Sequence, residues 1–504
     1  MMQPIRGLAT AAVIALTCSV AITAERHRPM LAESNLELPI RRGVEAWIGI
    51  PDDWTVQSVI KHCQDGNRLI YVQVQNEQIA TEIREAALAT NLLGKRIFVS
   101  RRGPKRIGIS DGLCLDCRVA GSIANLVPES EVLRVLIPGA SGHLGDRVVT
   151  ARKLVGTDVW THPYHAPDNN PCSRDRVARR ALETRYIAYP HFSPMPQISV
   201  AGYGRLYRAM GHIAHKANQV PALNTLVGVD IASGCILWRR SLPEGFMIHR
   251  NTWVAVPEGI WVGDDTACRL LDRDTGMELR RIEVPEHVGG PVWKWMGLVH
   301  QTLYALVGDR EIAPSTQRSD NDALGHWGWG MWEGHDYSDP RRNFAFGDVV
   351  CAFDLRSGKP KWSHREESPI DGRAICLMGD RLFYFCPGRH LVCLGKADGS
   401  LKWSNSDADL LAAIDKDAPA QSFLNGYSTQ FYLACDDERL YFAGPQRPNF
   451  IAVSQFDGRM LWQQPDGVRH VVAHPQGLFV VTDIRNKIKS GRIDTLHFRP
   501  SLCS

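Results

Sequence analysis

Three clusters of residues in this chain are of types that carry chemistry. The first runs Trp160-Thr161-His162-Pro163-Tyr164-His165-Ala166-Pro167-Asp168-Asn169-Asn170. Within it His162, His165 and Asp168 offer two imidazoles and a carboxylate, a donor set able to hold a transition metal. Pro163 and Pro167 break any helix that would fix their geometry. The same groups also suit a loop packed on a larger body with its polar atoms paired to backbone, and the sequence favours that loop. The second cluster is the C-x-x-C pair Cys114 and Cys117. Arg118 stands where c-type haem attachment needs His, no second pair completes a zinc site, and the surrounding LCLDCRV is apolar. The pair reads as part of a buried strand. The third is His326, Trp327, Trp329, Trp332 and His335, interleaved with Gly328, Gly330 and Gly334. Glycines at this density weaken a strand, so residues 312–345 read as an insertion. Its indoles, if exposed, suit a sugar ring, a peptide or another flat ligand; folded inward, they plug the body or pin the first domain.

The elements that position these clusters come in two kinds. From about residue 198 the chain repeats itself: VGVDIASGCILW, RLLDRDTGMELR, CAFDLRSGKPKW, VCLGKADGSLKW and AVSQFDGRMLW share an apolar strand followed by D-x-x-x-G-x-x-x-W. The frame is full at Asp230, Gly234, Trp238 and at Asp354, Gly358, Trp362. Arg280 replaces the Trp after Asp272 and Gly276; Gly395 and Ser454 replace the Asp before Gly399, Trp403 and before Gly458, Trp462. The Asp accepts backbone N–H bonds in a tight turn, the Gly supplies a positive φ, and the Trp offers a flat face to the next sheet. A four-stranded blade takes about 40 to 45 residues, which matches the commonest spacing of the turn glycines. The sequence predicts a β-propeller of about six blades, or seven if the insertion hides one. It predicts as well that residues 184–189 (TRYIAY) pair with the last sheet and close the ring.

These repeats resemble the pyrroloquinoline-quinone-like repeats of quinoprotein alcohol dehydrogenases and of the propeller lipoprotein in outer-membrane β-barrel assembly. The resemblance covers residues 198–504 and implies the fold. In the dehydrogenases the quinone stacks on a disulfide between adjacent cysteines, near Ca²⁺ and a catalytic Asp. No two cysteines are adjacent here, so no catalytic or quinone-binding residue carries across and no quinone is expected.

Before the repeats, VEAWIGI (44–50), RLIYVQV (68–74), RIFVS (96–100) and LCLDCRV (113–119) alternate with helical stretches, the rhythm of a parallel sheet. With EVLRVLIPG (131–139) this order resembles a Rossmann-like, class I S-adenosylmethionine-dependent methyltransferase core over residues 36–150. The cofactor positions depart from that family. Ile50-Pro51-Asp52-Asp53-Trp54 replaces the Gly-rich first turn, and Gln75 stands where an acid should bind the ribose, with Glu77 two residues late. The domain reads as a degenerate relic that binds no S-adenosylmethionine. A working methyltransferase is the first alternative, a quinone-dependent dehydrogenase the second. The fusion itself resembles a bacterial family, common among planctomycetes, in which a methyltransferase-like domain precedes quinoprotein-like repeats and the joint (here 151–197) carries W-T-H-x-x-H-x-x-x-N-N.

Residues 1–24 combine Arg6, the apolar run LATAAVIALTCSVAI and small Ala21 and Ala24, the pattern of a secretory signal peptide. The apolar run falls short of the roughly 20 residues that span a bilayer. The reading is an exported protein of the periplasm or cell envelope, without a membrane span after cleavage. With 58 Lys and Arg against 54 Asp and Glu, the net charge of +4 argues against a nucleic-acid partner. The expected partner is an envelope protein or a flat carbohydrate or peptide ligand.

Overall fold

The computed structural model describes residues 42–178, 184–188, 196–210, 222, 225–242, 251–309, 346–414, 431–444, 447–465, 468–482 and 497–499. The insertion with His326, Trp327, Trp329, Trp332 and His335 lies outside them.

The first domain alternates as its pattern predicts: β1 (Val44–Ile48), α1 (Val56–Asp65), β2 (Leu69–Val74), α2 (Glu77–Ala89), β3 (Ile97–Arg101), β4 (Cys114–Val119), α3 (Glu129–Val135), β5 (Ser141–Leu144) and β6 (Arg147–Thr150). The sheet order is β3-β2-β1-β4-β5-β6. Strands β1 to β5 are parallel, and β6 returns antiparallel to β5. Helix α1 starts at Thr55, whose side chain and that of Ser58 cap each other's backbone N–H; Asn76 caps α2 in the same sense. Both capping residues fall where strand gives way to helix, which is what sets the alternation. The central strand β1 is buried along its whole length, as a parallel strand covered on both faces must be.

Six antiparallel sheets follow among the described residues, five of four strands and a last of three. Their first strands are Pro196–Gly202, Trp253–Val256, Val292–Val299, Ile375–Met378, Leu433–Cys435 and Val468–His474. From blade 1 to blade 5, the first strands of successive blades touch, so they line the centre of the ring. The insertion sits inside blade 3, because the strands on either side of it, Thr302–Gly308 and Phe346–Asp354, pair directly. The short helix Ala408–Ile414 lengthens the step from blade 4 to blade 5.

The repeat motif works as a tooth between blades. Asp272 accepts the N–H groups of Asp274 and Thr275 at 3.0 and 2.8 Å, closing the turn, and Asp354 accepts that of Ser357 at 2.8 Å. The glycine that follows is then the docking floor for the previous blade's tryptophan. Trp238 lies on Gly276, Trp362 on Gly399 and Trp403 on Gly458; a Cβ at Gly276 would fall 2.5 Å from the Trp238 ring. Each indole N–H donates to a turn carbonyl: Trp238 to Arg273 at 3.0 Å, Trp362 to Lys396 and Trp403 to Gln455 at 3.1 Å. Blade 2 has Arg280 instead. Its guanidinium donates to the Leu355 and Arg356 carbonyls of blade 3, so the hydrogen bond survives the loss of the ring.

The seam of the ring differs from expectation. Residues 184–188 form no strand, and no ladder joins them to the last sheet among the described residues. They hold by side-chain docking. Tyr186 and Ala188 press on the turn glycine Gly234 of blade 1, and the Tyr186 hydroxyl donates to the Ile231 carbonyl at 2.6 Å. Tyr186 thus does for blade 1 what a repeat tryptophan does for blades 2, 4 and 5. Replacing such a tooth should be costly. Trp238 is 3 % exposed, and Trp238→Ala should lose about 3–5 kcal/mol in urea unfolding. The cost should exceed that of Arg280→Ala, whose site buries less.

Candidate functional site

The motif Trp160–Asn170 has no secondary structure of its own and threads the ring centre. There it meets the first strand of each of the six described blades in turn. Trp160 exchanges backbone hydrogen bonds with Ala201 of blade 1 at 2.7 and 2.8 Å, and the Thr161 carbonyl accepts from Ala255 of blade 2 at 2.8 Å. His162 Nε2 accepts from the Leu298 N–H of blade 3 at 3.1 Å. The Pro167 carbonyl accepts from Leu377 of blade 4 at 2.8 Å and the Asp168 carbonyl from Cys435 of blade 5 at 3.0 Å. Asn169 spans the joint between these two blades, its Nδ2 donating to the Ile375 and Leu433 carbonyls at 2.8 and 2.9 Å. Asn170 ends the series on blade 6: Oδ1 accepts from Ala473 N–H at 2.9 Å and Nδ2 donates to Ala473 O at 2.8 Å.

Local chemistry explains how so many turns fit in so short a segment. His165 and Asn169 adopt positive φ, 74° and 57°. His162 and His165 pair backbone to backbone across the Pro163-Tyr164 turn. Tyr164 wedges against Phe431 and His470, with ring centroids 4.9 and 5.9 Å away. His165 Nε2 lies 2.7 Å from Asp158 Oδ2, which also accepts the Arg174 N–H at 2.6 Å.

The three candidate metal ligands are therefore occupied. Because His162 Nε2 accepts a peptide N–H, its proton sits on Nδ1 and is shared with Thr161 Oγ1 at 2.8 Å. Neither nitrogen has a free lone pair. Asp168 Oδ1 accepts the Asn170 N–H at 2.9 Å. His162, His165, Asp168 and Asn169 are all buried.

In the first domain, Cys114 and Cys117 are buried free thiols on β4. Burial raises both, Cys117 to about 12, so neither is a nucleophile near neutral pH. At the first turn Gly49 has φ 79°. Ala120 and Ile123 close over it, 2.9 and 3.0 Å from where its Cβ would lie. Trp54 turns inward, 4.4 Å from Trp47 between ring centroids. Glu77 is held by Arg101 at 2.7 Å.

The structure also assembles a cluster that the sequence reading missed. His364 and Glu366 alternate on the long outer strand of blade 3, Pro360–Asp371, and face Tyr384, Cys386 and His390 of blade 4. The available signals were H-x-E at strand spacing and C-x-x-x-H around the Pro387-Gly388 turn. They lie in different blades, so neither alone suggests a site. Burial works to raise the Glu366 carboxyl, but hydrogen bonds with His364 and Tyr384 and the nearby His390 ring outweigh it and hold the group well below the usual carboxylate range.

A family model described as outer membrane protein assembly factor BamB matches residues 346–487, from the third strand of blade 3 into the last sheet. Similar solved structures include BamB from Moraxella catarrhalis, at 11% identity over 56% of this chain and 65% of that one, with TM-score 0.32. Quinohemoprotein alcohol dehydrogenase ADHIIG from Pseudomonas putida HK5 matches at 11% identity over 67% and 53%, with TM-score 0.33. A Methanococcus maripaludis protein assigned as an S-adenosyl-L-methionine-dependent methyltransferase matches at 17% identity over 21% and 48%, with TM-score 0.18. The chain spans less than two thirds of each of these structures. A comparison with curated proteins finds no match.

The buried histidine gives a pH test. Burial holds His162 at about 3, against 6.5 for a free imidazole. Between those values the unfolded chain binds a proton that the folded chain refuses, so stability falls as pH drops through this window. The slope from this group is at most about 1.4 kcal/mol per pH unit. In His162→Gln the amide oxygen can still accept from Leu298 N–H, and nothing titrates. Urea midpoints between pH 6 and 4 should therefore fall less steeply than in the parent chain; an equal slope would refute the assignment. By its sheets and repeats the chain is a β-propeller of repeated four-stranded blades behind an α/β domain, and its residues 346–487 match the assembly-factor family model.

Proposed function

We propose that this protein is an exported, non-catalytic binding or assembly module of the cell envelope. The observation that carries the reading is the ring centre: the chain's own segment 160–170 fills it and hydrogen-bonds to all six blades. A ring plugged by its own chain offers its rims and loops for recognition. The matched family model is described as an outer-membrane assembly factor, which supports an envelope protein as the partner. No helix among the described residues is long and apolar enough to cross a membrane.

The first domain, in this reading, is a scaffold that takes neither S-adenosylmethionine nor another cofactor. Gly49 overlaid by Ala120 and Ile123, and Glu77 tied to Arg101, support it. Titrating the full mature chain with S-adenosylmethionine in a calorimeter should give no binding heat. A Kd at micromolar or tighter, about −8 kcal/mol or better, would revive the methyltransferase.

The partner surface we assign to the blade 3 insertion with Trp327, Trp329 and Trp332, flanked by His326 and His335. Changing the three tryptophans to alanine should leave the melting temperature within a few degrees and abolish photo-crosslinking to an envelope protein. A large loss of stability with crosslinking unchanged would make the loop a plug.

A further inference from the structure

We propose that Glu366, Cys386 and His390 form a transition-metal site of the zinc class, built into the cleft between blade 3 and blade 4. The three donor atoms lie within 4.8 Å of one another, one on each of three strands. Strand geometry brings them together. Glu366 is on the inward side of its alternating strand. Cys386 and His390 sit directly opposite each other in the hairpin ladder, so their side chains share a face.

The two oxygens of Glu366 are turned to different tasks. Oε1 takes the Tyr384 hydroxyl and faces His364 Nε2 at 3.4 Å. Oε2 faces His390 Nε2 at 3.3 Å. That second contact is not a hydrogen bond: His390 Nε2 is buried and has no aligned partner. A carboxylate–imidazole hydrogen bond would be about 2.7–2.9 Å. Ligand atoms about 2.0–2.1 Å from a tetrahedral zinc stand about 3.4 Å apart, which is the separation seen here. Tyr384 and His364 then hold the carboxylate from behind, the role that hydrogen-bonding neighbours play around metal ligands.

Donor type selects the metal. A thiolate, an imidazole and one carboxylate oxygen favour zinc over magnesium or calcium, which want oxygen alone. The Glu366 and His390 side chains are 12% and 27% exposed, so the cleft that holds the buried donor atoms lies just beneath the surface. Three protein ligands leave a fourth position for water or a partner's donor group.

Cobalt(II) is the probe, added to the tag-free full mature chain under reducing conditions. It should bind at a single equivalent, with tetrahedral visible bands and a thiolate-to-cobalt charge-transfer band, and zinc should displace it. Cys386→Ser should remove the charge-transfer band, and His390→Ala should weaken binding by about ten-fold or more. Cys114→Ser with Cys117→Ser should change neither. Should Cys386→Ser fail to fold, Glu366→Gln serves instead: it keeps an acceptor for Tyr384 and should lose affinity to the same degree. Absence of the cobalt spectrum in the parent chain overturns the site. So does its persistence in Cys386→Ser, or its loss in the Cys114/Cys117 variant.

Discussion

The first strand of each blade has a neighbour within its own sheet on one side only. Its other edge carries peptide N–H and C=O groups towards the ring centre, where water is largely excluded. A buried group of this kind costs about 1–3 kcal/mol when unpaired. Segment 160–170 supplies the partners, and this requirement accounts for its composition. Asn170 presents a donor and an acceptor in one plane and pairs with Ala473 as another peptide unit would. Asn169 has two N–H donors for two carbonyls on different blades. His162, kept neutral by burial, accepts the Leu298 N–H through Nε2. Pro163 and Pro167 bring no N–H of their own that would need a partner.

Around the perimeter the constraint is different, since each blade must grip the next at a fixed angle. The tryptophan–glycine tooth does this with a flat apolar contact and one hydrogen bond whose direction sets the register. Arg280 keeps the hydrogen bond without the ring, and Tyr186 keeps both from outside the repeat. The segment holding Tyr186 also touches the first domain, through Ser110 Oγ to the Arg185 carbonyl at 3.1 Å. The joint between domains is thus part of the ring at its centre and at its seam. This binds the α/β domain to the propeller more closely than a tether would.

Histidine and cysteine serve three ends in this chain, and surroundings alone distinguish them. Cys114 and Cys117 have the spacing of a redox or metal pair but lie in an apolar strand that keeps them protonated. His162 has the look of a ligand, yet a peptide N–H takes its lone pair. His390 Nε2 has no hydrogen-bond partner among the described residues, and a thiol and a carboxylate oxygen stand beside it.

The sequence by itself determined what depends on neighbours along the chain. The turn Asp and Gly, the strand before them and the Trp after them lie within one hairpin, so the blade was legible wherever the frame survived. The capped helices of the first domain were legible for the same reason, since Thr55 and Asn76 act on the residues that follow them. Tertiary structure decided the rest. Asn170 meets Ala473, Asn169 meets Leu433, and Glu366 meets Cys386 and His390 only once blades are stacked. Residues 184–188 of the strand-like TRYIAY form no strand, and Tyr186 docks on the Gly234 turn instead. Alternation and turn chemistry specify a sheet locally. Which side chain faces an unpaired edge in another sheet depends on ring geometry, and no short-range pattern encodes that.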